Sequence, residues 1–177
     1  MNKLAWARGL FELSKWFILA LFILFLIYSF IVSIFIVDGV SMVSTLNDND
    51  VVLVNRVVYK FSEPKRGDIV VLRYPGDPEK TYYVKRIIGL PGEELKIDRE
   101  KVFIDGEEIR ETYLDKDQTT TPNKKWLIAE DSYFTVGDNR IASSDSRKWG
   151  FVEKEFILGR VSTTVYPRFI SFAEVLY

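Results

Sequence analysis

The chain has 177 residues with 0 His and 0 Cys, and its formal net charge is -1 at pH 7. The missing residue types exclude Ser-His-Asp and Cys-His catalysis, histidine- or thiolate-bound metal sites and disulfide bonds. The nearly balanced charge, without a basic stripe interleaved with aromatic residues, argues against a nucleic-acid partner. We expect neither a metal nor another cofactor.

An uncharged apolar run covers residues 16–37. As a helix rising about 1.5 Å per residue, it spans roughly 33 Å, enough for a hydrocarbon core of about 30 Å. The alternatives are a cleavable signal sequence and a buried helix. A signal sequence has an apolar core of only about 7–15 residues and ends in small residues, whereas this run is longer and ends in bulky side chains. We therefore predict an uncleaved transmembrane anchor.

The charges that flank this run predict its orientation. Lys3, Arg8 and Lys15 precede it, and Asp38, Asp48 and Asp50 follow it before the next cation. Cytoplasmic flanks of membrane spans carry the excess of Lys and Arg. We predict a single-pass cell-membrane protein with a cytoplasmic segment at 1–15, a transmembrane anchor at 16–37 and an extracytoplasmic domain at 38–177.

The sequence after the anchor is typical of β structure. Six β-branched or aromatic runs predict strands, at residues 51–54, 68–72, 82–88, 101–104, 133–136 and 159–165. Asp105-Gly106 is typical of a two-residue hairpin turn. The polar stretch 107–125 is predicted as an exposed excursion between strands. The fold class is therefore mainly β, with one N-terminal transmembrane helix.

Two segments carry candidate reactive groups. Ser41 lies just beyond the apolar run, and Lys85 lies inside the apolar run 82–88. Without histidine, a serine nucleophile needs another base, and a desolvated lysine can serve. Burial disfavours the ammonium and can lower a lysine pKa by up to about 3–5 units. The alternative is that Lys85 projects from the solvated face of a strand, as most lone lysines do.

A third polar segment covers residues 137–147, which contain two acids, two arginines and three serines. Such a composition can build a fixed hydrogen-bond network beside a reactive group. It is also compatible with an ordinary solvated turn, since Gly, Asp, Asn and Ser are the usual turn residues.

Taken together, these segments resemble the bacterial type I signal peptidases, membrane-bound Ser/Lys serine peptidases that remove signal peptides from exported preproteins. Ser-Met-x-x-Thr-Leu at 41–46 is a weak motif. Lys-Arg-Ile-Ile-Gly-Leu-Pro-Gly at 85–92, followed by Gly-Asp-Asn-Arg-x-x-Ser-x-Asp-Ser-Arg at 137–147, is highly specific. The single predicted anchor is similar to that of members from Gram-positive bacteria.

The resemblance implies roles for individual residues. Ser41 would be the nucleophile, Lys85 the general base, and Ser143 a hydroxyl that hydrogen-bonds and orients the lysine amine. Asp145 and Arg147 would form a supporting ion pair, and Asp138 and Arg140 would brace the loop.

The resemblance also implies a mostly antiparallel β domain that rests on the membrane. The segment leading into Ser41 and the strand bearing Lys85 would line a groove for an extended signal peptide, bound by main-chain hydrogen bonds. Small residues would be preferred at the first and third positions before the cut. The implied substrate-binding positions are Val37, Gly39, Met42 and Val84. The expected partners are preproteins and the lipid bilayer.

This chain departs from the family pattern at two positions. Ser44 stands where the family usually has proline, so the turn after the nucleophile loses a fixed φ. Gly39 stands where some members carry a serine hydroxyl that stabilises the oxyanion, which leaves the Ser41 N–H to do most of that work.

Three other readings compete with an active peptidase. One is an inactive relative that assists assembly of surface structures such as pili, but it would not need Ser41, Lys85 and Ser143 together. The second is the related group of self-cleaving repressors, which are cytosolic and carry a DNA-binding region in place of a membrane helix. A non-catalytic membrane-tethered β domain explains the strands but not the three motifs.

Overall fold

A long apolar helix precedes the β structure. The structure is a computed structural model that describes residues 3–74 and 76–172. Helix α1 (Lys3–Ile31) contains a segment, Leu10–Ile31, that is long and apolar enough to cross a membrane, with a mean hydropathy of 2.2. None of this segment is buried against the rest of the chain. The alternative of a buried core helix is therefore wrong.

The helix ends at Ile31, and the predicted helical continuation to Val37 is wrong. Strand β1 (Val32–Ile36) follows without a loop and pairs antiparallel with β2 (Val51–Asn55). The N–H of Arg56 donates to the carbonyl of Ile31 at 2.9 Å, so pairing begins where the helix stops. The β-branched residues of this part of the run suit a pleated strand, and β2 supplies backbone partners that a membrane would not.

The remaining elements complete two antiparallel sheets. The other strands are β3 (Ile69–Arg73), β4 (Tyr82–Gly89), β5 (Glu94–Asp98), β6 (Lys101–Ile104), β7 (Glu107–Glu108), β8 (Lys124–Leu127), β9 (Ser132–Val136), β10 (Val152–Glu153), β11 (Ile157–Tyr166) and β12 (Ile170–Ser171). Short helices are α2 (Val58–Phe61), α3 (Ser146–Trp149) and a 3₁₀ turn (Lys154–Phe156). The larger sheet has the order β1-β2-β11-β3-β4-β9-β10, with β12 beside β11, and the smaller has the order β7-β6-β5-β8.

The predicted fold class is confirmed, because the described chain is mainly antiparallel β with one N-terminal apolar helix. The predicted hairpin turn is also confirmed. Asp105 and Gly106 connect β6 to β7 with φ of 49° and 90°, and two positive φ values suit the twist of a two-residue hairpin. Strands β5 and β8 were not predicted, because charged residues interrupt their apolar pattern.

One core cluster positions the segment that carries Ser41. Met42 and Leu46 are fully buried among Val52, Val54 and Val71 from the larger sheet. Burying a side chain of this size contributes roughly 1.5–3 kcal/mol. Two large side chains from one short segment therefore hold the turn around Ser41 against the sheet.

Candidate active site

Lys85 and Ser41 are in direct contact. Lys85 lies in β4, opposite Val70 of β3, and Ser41 lies in the turn that follows β1. The Nζ of Lys85 donates a hydrogen bond to the Oγ of Ser41 at 2.8 Å. The two residues are 44 positions apart in the chain, so only the fold brings them together.

The environment of Lys85 changes its protonation. Its exposure is 2%, so the alternative of a solvated lysine is wrong. Burial lowers the pKa of Lys85 to about 8, and it outweighs the opposing effect of the Asp145 and Asp138 carboxylates. A neutral amine, able to accept the proton of Ser41, is therefore well populated at mildly alkaline pH.

A buried ion pair adjoins the lysine. The Nε and Nη2 atoms of Arg86 donate to the two carboxylate oxygens of Asp138 at 2.9 and 2.7 Å. The hydroxyl of Thr45 donates to the same carboxylate at 2.5 Å, and Nη1 of Arg86 donates to the carbonyl of Gly67 at 2.9 Å. Asp138 thus joins the lysine strand to the serine segment. Sequence reasoning missed Arg86 and Thr45, although a second cation in an apolar run was a signal for a buried partner.

Arg140 is held by a residue from the polar stretch 107–125. Its guanidinium makes two hydrogen bonds to the Glu111 carboxylate, one of them at 2.9 Å from Nη1. The same Nη1 donates to the hydroxyl of Thr120 at 2.6 Å. The Tyr113 ring lies 3.8 Å from the guanidinium carbon of Arg86. The prediction of an exposed excursion is therefore wrong for the residues that pack against the 137–147 loop.

The predicted ion pair between Asp145 and Arg147 is present. Two hydrogen bonds of 2.8 and 2.7 Å join the guanidinium to the carboxylate. Asp145 also accepts the N–H of Gly137 at 3.1 Å. Burial alone would raise the pKa of Asp145, but the Arg147 guanidinium holds it below its usual range. An ionised carboxylate therefore fixes the two ends of the loop to each other.

Ser143 lies beside Ser41 but does not make the predicted hydrogen bond to Lys85. Its buried Oγ makes no hydrogen bond of good geometry within the described residues, but it lies near enough to the Asp145 carboxylate to help lower the pKa of that group. The lysine amine is bonded to Ser41 instead. A Cβ built on Gly137 would lie 2.4 Å from both the Ser143 Oγ and the Ser41 carbonyl oxygen. Only glycine at this position lets the loop approach the nucleophile so closely.

The predicted substrate-binding residues divide into two groups. Val37 and Met42 are buried in the core cluster, where they pack next to the segment that carries Ser41, and their contact with substrate stays a prediction. Val84 is half-buried and packs against that cluster. Gly39 has a φ of +92°, which favours glycine, and its N–H donates to the Asp48 carboxylate at 2.8 Å.

Two unpaired strand edges lie close to each other near Ser41. Within the described residues, β1 pairs with β2 alone, and β4 pairs with β9 only from Arg86 onward. The rings of Phe35 and Tyr82 meet edge to face, with centroids 5.5 Å apart. This contact joins β1 to the start of β4, although the two are not neighbours in the sheet. Each edge therefore presents backbone groups that have no strand partner among the described residues.

The match to a known family identifies the chain. Residues 10–166 match the family model of signal peptidase, peptidase S26. The chain belongs to this family. It is a serine endopeptidase of the signal peptidase type, and the family removes signal peptides from preproteins. The resemblance to the bacterial type I signal peptidases is therefore confirmed. The alternative of a self-cleaving repressor is not supported.

Similar proteins come from several bacteria. Signal peptidase I P of Bacillus subtilis subsp. natto is 37% identical, covering 86% of this chain and 87% of that protein. Probable signal peptidase I-2 of Synechocystis is 34% identical, covering 88% and 73%. The crystal structure of a signal peptidase I from Enterococcus faecalis is 30% identical, with a TM-score of 0.50, and covers 56% of this chain and 97% of that one.

Proposed function

We propose that this signal peptidase is membrane-anchored and cleaves preproteins with Ser41 as nucleophile and Lys85 as general base. The hydrogen bond of 2.8 Å between the buried Lys85 amine and the Ser41 hydroxyl carries this proposal. It supports an active enzyme over an inactive relative, because a protein without chemistry gains nothing from burying a lysine against a serine.

The reaction proceeds in two halves. Neutral Lys85 takes the hydroxyl proton as the Ser41 Oγ attacks the scissile carbonyl, and the Ser41 N–H stabilises the oxyanion. The Lys85 ammonium then gives that proton to the leaving amine as the peptide bond breaks. A water molecule, deprotonated by neutral Lys85, attacks the acyl-enzyme. The signal peptide leaves with a free carboxyl group, and the proton returns to Ser41.

The loop at 137–147 would keep the amine in place. Its two ends are joined by the hydrogen bond from the Gly137 N–H to the Asp145 carboxylate, which pairs with Arg147. Arg86 and Glu111 hold Asp138 and Arg140 from outside the loop. Ser143 brings a buried hydroxyl beside the nucleophile, where it can hydrogen-bond the amine when Ser41 has given up its proton. These residues position the base and make no contact with substrate.

Replacing Ser143 with alanine is expected to lower turnover about 10–100-fold, the scale of one hydrogen bond of about 1–3 kcal/mol. The KM for preprotein should change little, since the hydroxyl serves the base. The measurement is steady-state kinetics of Ser143→Ala and of the control Ser144→Ala. Ser144 is a suitable control because it is exposed in the same loop. Turnover at the wild-type rate in Ser143→Ala would show that the hydroxyl does not orient Lys85.

The substrate would lie as an extended strand between the free edges of β1 and β4. Side chains of an extended peptide alternate in direction, so the first and third residues before the cut point the same way. Val37 and Met42 are buried in the core cluster next to Ser41, so a pocket at this place would be shallow. This arrangement supports a preference for small residues at those two positions.

A preprotein with alanine at both positions is expected to be cut at least about 100-fold faster than one with phenylalanine at the first position, because a shallow pocket cannot admit a ring. Phenylalanine at the second position is the matched control, since that side chain points the other way. Cleavage rates, with the new N-terminus sequenced, test the pocket. Equal rates for all three substrates would contradict it.

The helix segment Leu10–Ile31 would span the bilayer with the N-terminus in the cytoplasm and the domain from residue 38 onward outside. Both the apolar length and the preceding cations support this arrangement. Strand β1 starts where the span ends and leads to Ser41 within ten residues. Ten extended residues reach at most roughly 35 Å, so cleavage would take place close to the membrane surface.

A further inference from the structure

We infer that Asn139 is a positioning residue that orients the backbone N–H of Ser41 toward the oxyanion. This inference rests on the proposed function and names a residue that it does not assign. The side-chain Nδ2 of Asn139 donates to the carbonyl of Val40 at 3.0 Å. The backbone N–H of Asn139 donates to the carbonyl of Ser41, also at 3.0 Å. One residue of the 137–147 loop therefore holds two successive peptide groups of the nucleophile segment.

The bond to Val40 matters because of peptide geometry. The carbonyl of Val40 and the N–H of Ser41 belong to the same planar peptide group. Fixing the direction of the carbonyl therefore fixes the direction of the N–H. A hydrogen bond to the carbonyl also polarises the peptide group and makes its N–H a stronger donor. Within residues 3–74 and 76–172, the Ser41 N–H donates to no acceptor, so it is available to a substrate oxygen.

Because Gly39 carries no hydroxyl, stabilisation of the oxyanion depends more strongly on the peptide group between Val40 and Ser41. The Gly39 position has no side chain that could offer a hydroxyl to the oxyanion. The Ser41 N–H is then the main donor, and its alignment determines how well the developing negative charge is stabilised. The Val40 carbonyl also accepts the N–H of Val43, but over a longer distance of 3.3 Å. The bond from Asn139 is the shorter of the two.

The amide of Asn139 is itself fixed. Its Oδ1 accepts the N–H of Ala142 at 3.1 Å, which leaves Nδ2 directed at Val40. An amide is suited to this position because one planar group offers both a donor and an acceptor. Aspartate would keep the acceptor for Ala142, lose the donor, and place a negative charge near the oxyanion.

The test uses the full chain in detergent, with Asn139→Ala and Asn139→Asp and with Ile141→Ala as the matched control. Ile141 is 70% exposed in the same loop. We expect kcat for preprotein to fall about 10–100-fold in both Asn139 variants, with KM within about twofold. If Lys85 is the base, kcat/KM rises with pH as its ammonium loses a proton and then levels off. The pH at which it levels off should be unchanged in Asn139→Ala. Affinity for a peptide aldehyde, whose adduct with Ser41 places its oxygen at the oxyanion position, should fall in parallel with kcat/KM.

A purely structural role predicts other results: a lower thermal midpoint, with kcat and aldehyde affinity unchanged in the molecules that fold. Turnover at the wild-type rate in both variants would overturn the inference while leaving the proposed function intact. A wild-type protein that cleaves no preprotein would instead overturn the proposed function. The amide ¹⁵N resonance of Ser41 still tests the inference in that case. It should move in Asn139→Ala and not in Ile141→Ala, and an unmoved resonance would contradict the bond to Val40.

Discussion

Replacing Ser41 with alanine is expected to abolish preprotein cleavage and leave the protein folded. The loss should be on the order of 10⁶-fold, the scale seen when a serine protease loses its nucleophile. Among the described residues, the Ser41 Oγ is the hydroxyl that is hydrogen-bonded to the Lys85 amine. The fold should survive, because Met42 and Leu46 anchor the segment and the contacts from Asn139 reach backbone carbonyls.

The measurement is cleavage of a preprotein by the detergent-solubilised chain, together with the thermal midpoint of each variant. Ser44→Ala is the control: it makes the same exchange in the same segment, at an exposed hydroxyl whose hydrogen bond goes to the Tyr113 carbonyl at 3.3 Å. It should retain cleavage. A Ser41→Ala protein that cuts at the wild-type rate would end the assignment of the nucleophile.

The second large effect expected is the loss of cleavage when Lys85 is protonated or replaced by arginine. Burial lowers the pKa of Lys85 to about 8, and only the neutral amine can accept a proton. The value of kcat/KM should therefore rise about tenfold per pH unit below 8 and level off above it. Lys85→Arg should be inactive at every pH tested, because a guanidinium stays protonated. Normal turnover by Lys85→Arg would contradict a lysine base.

The same pKa shift affects stability. The pKa of Lys85 is about 8 in the folded protein, against 10.5 for the unperturbed side chain. Between these two values the unfolded chain binds more protons than the folded one, so the free energy of unfolding rises with pH in this window. Lys85→Met removes the titrating group and with it this pH-dependent contribution to the free energy of unfolding. The gain in thermal midpoint of Lys85→Met over wild type should therefore be larger at pH 8 than at pH 10.

Local sequence patterns predicted most of the fold. β-branched and aromatic runs identified β2, β3, β4, β9 and β11 of the larger sheet, and Asp105-Gly106 identified a hairpin. The end of the helix was misplaced, because residues 32–37 are apolar enough for a membrane and β-branched enough for a strand. The presence of β2 as a pairing partner decided between these states, and hydropathy carries no information about it. Strand β5 escaped notice because its buried residues alternate with charged ones.

The contact between Ser41 and Lys85 was predicted from motifs, whereas the charge pairs around it were only partly predicted. Asp145 and Arg147 are close in sequence, and their pair was expected. Asp138 binds Arg86 from 52 positions away, and Arg140 binds Glu111 from 29 positions away. Arg86 and Glu111 were assigned no role from the sequence, because the composition of a loop does not show which distant strand or excursion will pack against it.

The most direct test of the Ser/Lys mechanism is the pKa of Lys85 itself, measured by NMR titration of the Nζ resonance in lysine-labelled protein. The Lys85→Arg variant assigns the signal by removing it. We predict a titration midpoint of about 8 that coincides with the pH at which kcat/KM levels off in the same detergent. A midpoint near 10.5, the unperturbed value, with kcat/KM levelling off at a different pH, would show that Lys85 is not the base.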